Sequence, residues 1–375
     1  MIEPSDHAVT ELEAVGEGLV LIVAPGGLRD SAGIGRLVTS ITRYWREHGG
    51  PPHGVVDSYG PARLMLMPFF LLHALWEIRQ LARRRHVALV HIHMATRGSM
   101  FRKAIIQRLA HRLRIPVILH LHGNQFDAFY RRLPAAPRRF LRETVRRADR
   151  LIVLGERWRG SVASEIGIDP QHLHVIYNAV EAPTTPPPHE GRPCRILFLG
   201  RLSDAKGVPE LLDALAAADL NGLEWTARLV GFGKVDVYRQ RVAAAGLAQR
   251  IEIWGWTPEP QVRQWLAEAD IFALPSHSEG MSMAVLEAMA FGLAVITTPV
   301  GANAEAIVDG ESGILVPVGA TADLAAALRR VITDDALRRR LQAGARRRFE
   351  EKFDIAKHSL QLLALYRETI ASSGR

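Results

Sequence analysis

From Leu19 onward, short runs of Val, Ile and Leu alternate with longer amphipathic stretches. The apolar runs 19–24, 54–57, 88–91, 116–120 and 151–154 have strand length, and mixed or basic helical stretches such as 34–47 and 101–114 separate them. Strands that are apolar at consecutive positions are buried on both faces, so this alternation predicts a parallel sheet with helices packed against it. The pattern breaks at residues 181–193, EAPTTPPPHEGRP, which hold five prolines and no periodicity. Such a segment reads as an extended, semi-rigid linker. Beyond it the alternation restarts, with strand candidates at 195–199, 226–230, 251–254, 271–274, 294–297 and 314–316, and the chain closes on a helical stretch from Ile355 to about Ser372. The expected architecture is α/β: a disordered tail (1–16), a Rossmann-like domain (17–180), the linker (181–193), a second Rossmann-like domain (194–354) and a C-terminal helix (355–375). Ligands of such sheets sit beyond the carboxyl ends of the strands, which makes a cleft between two of them the expected active site.

Composition narrows the class. Of 375 residues, 48% are hydrophobic and 23% charged, an ordinary globular balance. The single cysteine, Cys194, excludes an internal disulfide framework and fits a reducing compartment. The N-terminal stretch MIEPSDHAVTELEAVGEG is acidic and polar, unlike a secretory signal. The longest apolar run, LMLMPFFLLHALW at 64–76, contains Pro68 and His73 and falls short of the roughly 20 residues that span a bilayer. It reads as a core helix, and the chain as a cytoplasmic protein. The net charge of +8 is unevenly placed: between Arg97 and Arg150 there are 14 basic and 3 acidic residues. A solvated basic face, a surface docking on anionic lipid and nucleic-acid binding are all open, but the last lacks interleaved aromatics and any known motif.

Two constellations carry chemistry in the second domain. RILFLGRLSDAKG at 195–207 places Arg201 and Lys206 where a strand passes through Gly200 into a helix. Exposed N–H groups and two cations make an anion site there; an ordinary loop with two solvated cations fits as well. HSEGMSMAVLEAMAFG at 277–292 holds two carboxylates, Glu279 and Glu287, separated by seven small or apolar residues. Ser282 is a good N-cap and Gly292 a stop, so Glu279 lies in a loop and Glu287 about a turn and a half into a helix. A diphosphate ligand with hydroxyls at both ends fits this arrangement; a helix-entry charge and a surface ion pair fit two acids alone.

The first domain offers VAPGGLRDSAGIGR after its first strand, with Gly26, Gly27, Gly33 and Gly35 at a spacing that departs from the dinucleotide fingerprint. VILHLHGNQF sets His120 and His122 on one face of a strand, and His91 with His93 forms a second such pair. A metal site needs a third or fourth ligand in context, and none is evident along the sequence.

Taken together, GRLSDAKG, VGFG at 230–233, WGW at 254–256 and the long stretch LPSHSEGMSMAVLEAMAFGLAVITTPVGANAEAIVDGESGILV resemble a retaining glycosyltransferase of family 4 with the GT-B fold, across nearly the whole chain from about Leu19. The resemblance implies two Rossmann-like domains facing across a cleft, with the C-terminal helix crossing back to the first. It assigns Glu279 to the transferred sugar, Glu287 to the ribose hydroxyls, and Arg201 and Lys206 to the donor diphosphate. Gly200, Gly231, Gly280, Met281, Ser282 and Val285 would line the donor, and Trp256 would lie near the base. Gly27, Gly33 and Gly35 would approach the donor phosphates and the acceptor, and His122 the transferred sugar. Met281-Ser282 stands where the family often has Phe-Gly, and Gly301-Ala302 where it often has Gly-Gly; both departures touch the sugar end, so the donor sugar stays open.

The implied activity is transfer from a nucleotide-diphosphate sugar to a glycan or lipid-linked acceptor, as in exopolysaccharide, O-antigen or glycolipid synthesis. A sugar-nucleotide epimerase or hydrolase on the same fold is the alternative. No cofactor is expected beyond the donor itself. The chain has no D-x-D sequence of the kind that holds a metal on a diphosphate, so metal-independent transfer is expected, without nucleic acid and with a peripheral membrane contact through the basic segment between Arg97 and Arg150.

Overall fold

The computed structural model describes residues 18–27, 33–60, 67–123, 126–183 and 193–374; the expected tail at 1–16 and most of the expected linker lie outside them. The chain divides into two compact units, Met1–Ala179 with Ile355–Arg375, and Val180–Asp354.

The first unit is built on a parallel six-stranded sheet, β1 (Leu19–Ala24), β2 (His53–Asp57), β3 (Val87–Met94), β4 (Val117–Leu121), β5 (Arg150–Val153) and β6 (Leu173–Val175), in the order β2-β1-β3-β4-β5-β6. Its central strands are buried at every position, as consecutive apolar runs require. Leu19, Leu21 and Val23 of β1, Val90 and Ile92 of β3 and Val117 and Leu119 of β4 join one core cluster on one face. The opposite face is closed by helix Gly33–His48 and by the C-terminal helix Ile355–Ser372, which packs on that helix and on β3. Trp45 and Tyr366 meet there edge to face at 6.2 Å. The sequence pattern passed over β6, whose three residues LHV are too short to show a period.

One expectation is met on only one face of its helix. The apolar run at 64–76 enters helix Met67–Arg84, which buries only Ala74 and Ile78. Phe69, Leu72 and Trp76 are 65%, 65% and 58% exposed. They fall at i, i+3 and i+7, one face of a helix, and Arg79 and Arg83 continue that face in solvent. The helix still packs on the core through its other face, where Ala74 and Ile78 join the core cluster and Leu71, Leu75, Leu81 and Ala82 pack against it. It is a core helix with a second apolar stripe turned outward.

The second unit carries β7 (Cys194–Leu199), β8 (Trp225–Val230), β9 (Ile251–Trp254), β10 (Ile271–Leu274), β11 (Ala294–Thr297) and β12 (Ile314–Leu315), all parallel, in the order β12-β11-β10-β7-β8-β9. Helix Met283–Ala290 buries Met283, Val285, Leu286, Ala288, Met289 and Ala290. It packs against helix Asp335–Lys352 and β11.

Candidate functional site

In the second unit the chain runs outward from β7 to β8 and β9, and outward the other way from β10 to β11 and β12. Strand order therefore reverses between the adjacent strands β7 and β10, and such a reversal leaves a crevice outside the carboxyl ends of the strands. The two loops that border it are those carrying the motifs, 200–207 after β7 and 275–282 after β10.

These loops are tied together by their backbones. His277 N donates to Ala205 O at 3.0 Å, and Ala302 N donates to Gly280 O at 2.7 Å. Gly301 has φ 56° and presses on the Glu279-Gly280 backbone, where an added Cβ would overlap both carbonyl oxygens. Gly231, after β8, lies against the Gly200 carbonyl just as closely. Ser282 caps helix Met283–Ala290, its Oγ accepting from Val285 N at 3.4 Å, while its own N donates to Asn303 Oδ1 at 3.1 Å. Met281, Ser282 and Val285 are buried, and Glu287 is half-buried one turn beyond the cap.

The side chains converge across the reversal point. Lys206 Nζ lies 2.5 Å from Glu279 Oε1, with side-chain exposures of 28% and 9%. Ser276 Oγ donates to the same oxygen at 2.8 Å. The turn bearing Lys206 is anchored by Asp204, which accepts from Lys234 Nζ at 2.7 Å and from Tyr238 OH at 2.8 Å. Arg201 is exposed, its guanidinium 5.6 Å from the centre of the Phe232 ring. Trp256, beyond β9, is exposed. Sequence reasoning foresaw Lys206 on the diphosphate and Glu279 on the sugar of one ligand but missed that they bond to each other. It also missed Ser276, Asn303 and Asp204; only Ser276, three residues before Glu279, left a local signal.

The remaining candidates belong to the first unit. Gly27 is buried with φ 56° after β1; Gly33 is exposed and Gly35 buried at the start of helix Gly33–His48. Residues 28–32 of this loop lie outside the described residues. His122 follows β4, half-buried, with Nε2 2.8 Å from Nδ1 of His93.

It is one of a group. The register sets His93 beside His120, so the two His-x-His pairs share the face covered by the C-terminal helix. His91 stacks on His120 at 5.4 Å, and His93 stands 5.1 Å from His120. His91 Nδ1 lies 2.6 Å from the Tyr366 hydroxyl, and His358 Nδ1 lies 2.8 Å from the Tyr177 carbonyl. Burial, reinforced by the neighbouring histidines, pushes His91 and His122 down to about 3 and His93 and His120 well below the usual range. Burial takes His358 to about 4. Lys103 is also buried, bonded to Val23 O at 3.2 Å and to Ser58 Oγ at 2.5 Å, and burial holds it well below an ordinary lysine.

Comparison with known proteins bears on the family and the fold. Residues 31–182 match Glycosyltransferase Family 4 and residues 193–334 match Glycosyl transferases group 1. An uncharacterized glycosyltransferase of Methanocaldococcus jannaschii is 28% identical over 260 residues, which cover 69% of this chain and 70% of that one. The α-D-kanosaminyltransferase of Streptomyces kanamyceticus is 24% identical over 78% of this chain and 81% of its own length. A phosphatidyl-myo-inositol mannosyltransferase of Mycolicibacterium smegmatis is 32% identical, with 59% of this chain and 56% of that protein aligned. Among solved structures, Anabaena HepE in complex with UDP-glucose superposes with a TM-score of 0.70 at 20% identity, covering 94% of this chain and 99% of that one. The sucrose-phosphate synthase of Thermosynechococcus elongatus gives 0.76 at 17% identity, with 95% and 100% covered.

Proposed function

Because the chain belongs to the glycosyltransferases of the GT-B fold, we propose that it moves a sugar, with retention of anomeric configuration, from a nucleoside-diphosphate sugar to a glycan or lipid-linked acceptor. The observation that carries this reading is the convergence of Lys206, Glu279 and Ser276 on the reversal point of the second sheet, with Arg201 on the same loop as Lys206. Glycosyl transfer needs a diphosphate stabilised as its bond to the anomeric carbon breaks, and fixed cations aimed at that charge supply this. In the proposal Arg201 and Lys206 take the diphosphate, Glu279 the sugar hydroxyls and Glu287 the ribose. The departing phosphate oxygen takes the acceptor proton on the same face of the sugar. The cations replace a metal on the diphosphate, so added Mg²⁺ or Mn²⁺ leaves the rate unchanged.

A thermal-shift panel of UDP-, GDP- and ADP-sugars tests the donor site. A donor at about 100 times its Kd stabilises by about 2.7 kcal/mol, which at about 2–4 °C per kcal/mol is a rise of roughly 5–10 °C. UDP-glucose, bound by the Anabaena neighbour, is the first compound to try. Flat melting curves with every nucleotide sugar at millimolar concentration would sink the assignment. The anomeric configuration of the product, read by NMR, tests retention.

We further propose that the enzyme works at an anionic membrane surface, in the cytoplasm. The support is the outward stripe of Phe69, Leu72 and Trp76 running into Arg79 and Arg83, together with exposed Arg138, Arg139 and Arg142 in the basic segment. Apolar side chains that enter the interface beside cations that pair with lipid phosphates make a surface anchor. Flotation with phosphatidylserine or phosphatidylglycerol vesicles is expected to carry the wild-type chain upward at low salt. A Phe69→Ser/Leu72→Ser/Trp76→Ser triple variant is expected to stay at the bottom with an unchanged melting temperature. Equal flotation of the two proteins removes the stripe from the proposal.

A further inference from the structure

The face of the first sheet under the C-terminal helix holds more imidazole nitrogen than the protein bonds. His91, His93 and His120 are all fully buried. His91 Nε2, His93 Nε2 and both ring nitrogens of His120 have no hydrogen-bond partner among the described residues. A neutral imidazole carries one donor and one acceptor, and a buried polar group left unbonded has lost its water without a replacement. Four such atoms in one place are available to a ligand.

We propose that His91, His93 and His120 bind one borderline divalent transition-metal ion, zinc being the natural occupant. The ligand atoms of the three side chains lie within 4.8 Å of one another. Zn–N bonds of about 2.0–2.1 Å in a tetrahedral site set nitrogens roughly 3.4 Å apart, so rotation of the rings about their own side-chain bonds completes the contraction. Imidazole nitrogen without carboxylate selects zinc, copper or nickel over magnesium and calcium.

The outer contacts are those of metal-binding histidines, which typically give their second nitrogen to a fixed acceptor. His91 directs Nδ1 at the Tyr366 hydroxyl, and His93 directs Nδ1 at His122 Nε2, leaving Nε2 for the ion in both. The fourth position falls to a solvent ligand. The burial of all three side chains makes the site a brace joining β3 and β4. The metal has no part in the sugar transfer, and through His93 it fixes the ring of His122. The proposal rests on the histidines of the first unit alone and stands or falls independently of the donor site.

The test uses tag-free full-length protein, stripped with a chelator and dialysed against Zn²⁺ or Co²⁺. About one zinc per chain is expected to survive gel filtration, because a site formed by the fold holds its metal. His93→Gln and His120→Gln are each expected to reduce this to near zero, whereas His86→Gln, at an exposed position, retains it. Should either core variant fail to fold, the Co²⁺-loaded wild type decides: its NMR spectrum is expected to show hyperfine-shifted exchangeable imidazole protons from His91 and His93. Retention of zinc by folded His93→Gln, absence of those resonances, or wild-type zinc no higher than that of a Mg²⁺-treated control overturns the proposal.

Discussion

Lys206→Ala is expected to lower kcat by about 10²–10³-fold, the loss that follows removal of one preorganised donor from a developing negative charge. Lys206 stands on the turn after β7, held by Asp204, and reaches across to the loop after β10. Its ammonium is the point charge at which a diphosphate leaving group would gather electrons. The lysine side chain is 28% exposed but that of Glu279 only 9%, so the loss exceeds that of a surface pair. Ser276 still bonds the carboxylate, and the change is of the order of a lost hydrogen bond to a charged group, about 1–3 kcal/mol. The variant should therefore stay folded with a lowered melting temperature while losing turnover by far more than partial unfolding would cause, which separates a catalytic from a structural role. Glu279→Gln is the companion. It keeps an acceptor for Ser276 but removes the charge that positions the lysine, so both kcat and donor KM should worsen. Wild-type turnover in Lys206→Ala, measured as release of the nucleoside diphosphate, would refute the assignment of the diphosphate to this loop.

The fold was legible because its strands are apolar at consecutive positions. The runs at 19–24, 251–254, 271–274 and 294–297 coincide with β1, β9, β10 and β11. What the pattern could not convey is partnership at long range. The bond between Lys206 and Glu279 joins residues 73 positions apart, and it exists only because β7 and β10 are neighbours. Likewise each His-x-His pair was visible, but the pairing of His93 with His120 depends on the register of β3 against β4. The third imidazole that was not evident along the chain lies on the adjacent strand. The reading of 64–76 as a core helix was incomplete for a related reason: composition shows that a helix is apolar, while only the fold shows that Ala74 and Ile78 face the core and Phe69, Leu72 and Trp76 face outward.

The same histidines make the first unit sensitive to acid. In chelator, it is expected to unfold as the pH falls from about 6.5 towards about 5. His91, His93, His120 and His358 are fully buried, and burial sets His91 at about 3, His358 at about 4, and His93 and His120 well below the usual range. In the unfolded chain each titrates near 6.5. A folded-state value below the unfolded one means that stability is complete above pH 6.5 and declines as pH falls, until the folded value is reached. Each buried histidine then costs about 1.4 kcal/mol per pH unit. At pH 5 His91 and His358 alone amount to about 4 kcal/mol, and His93 and His120 add in the same direction, against a domain stability of about 5–15 kcal/mol. His122, half-buried at the end of the group and also held at about 3, acts in the same direction. Among the described residues, the second unit has one histidine, His277, which is exposed. Acid should therefore act on the first unit first. Circular dichroism against pH, with the fluorescence of buried Trp45 and Trp225 separated by Trp→Phe variants, should show Trp45 responding above pH 5 with a slope of several protons, and Trp225 at lower pH. Replacing His358 by Gln should reduce the slope by about one proton. A first unit that remains folded at pH 4.5 would show that these histidines accept protons within the fold, and the cluster would then have to be wetter than its burial indicates.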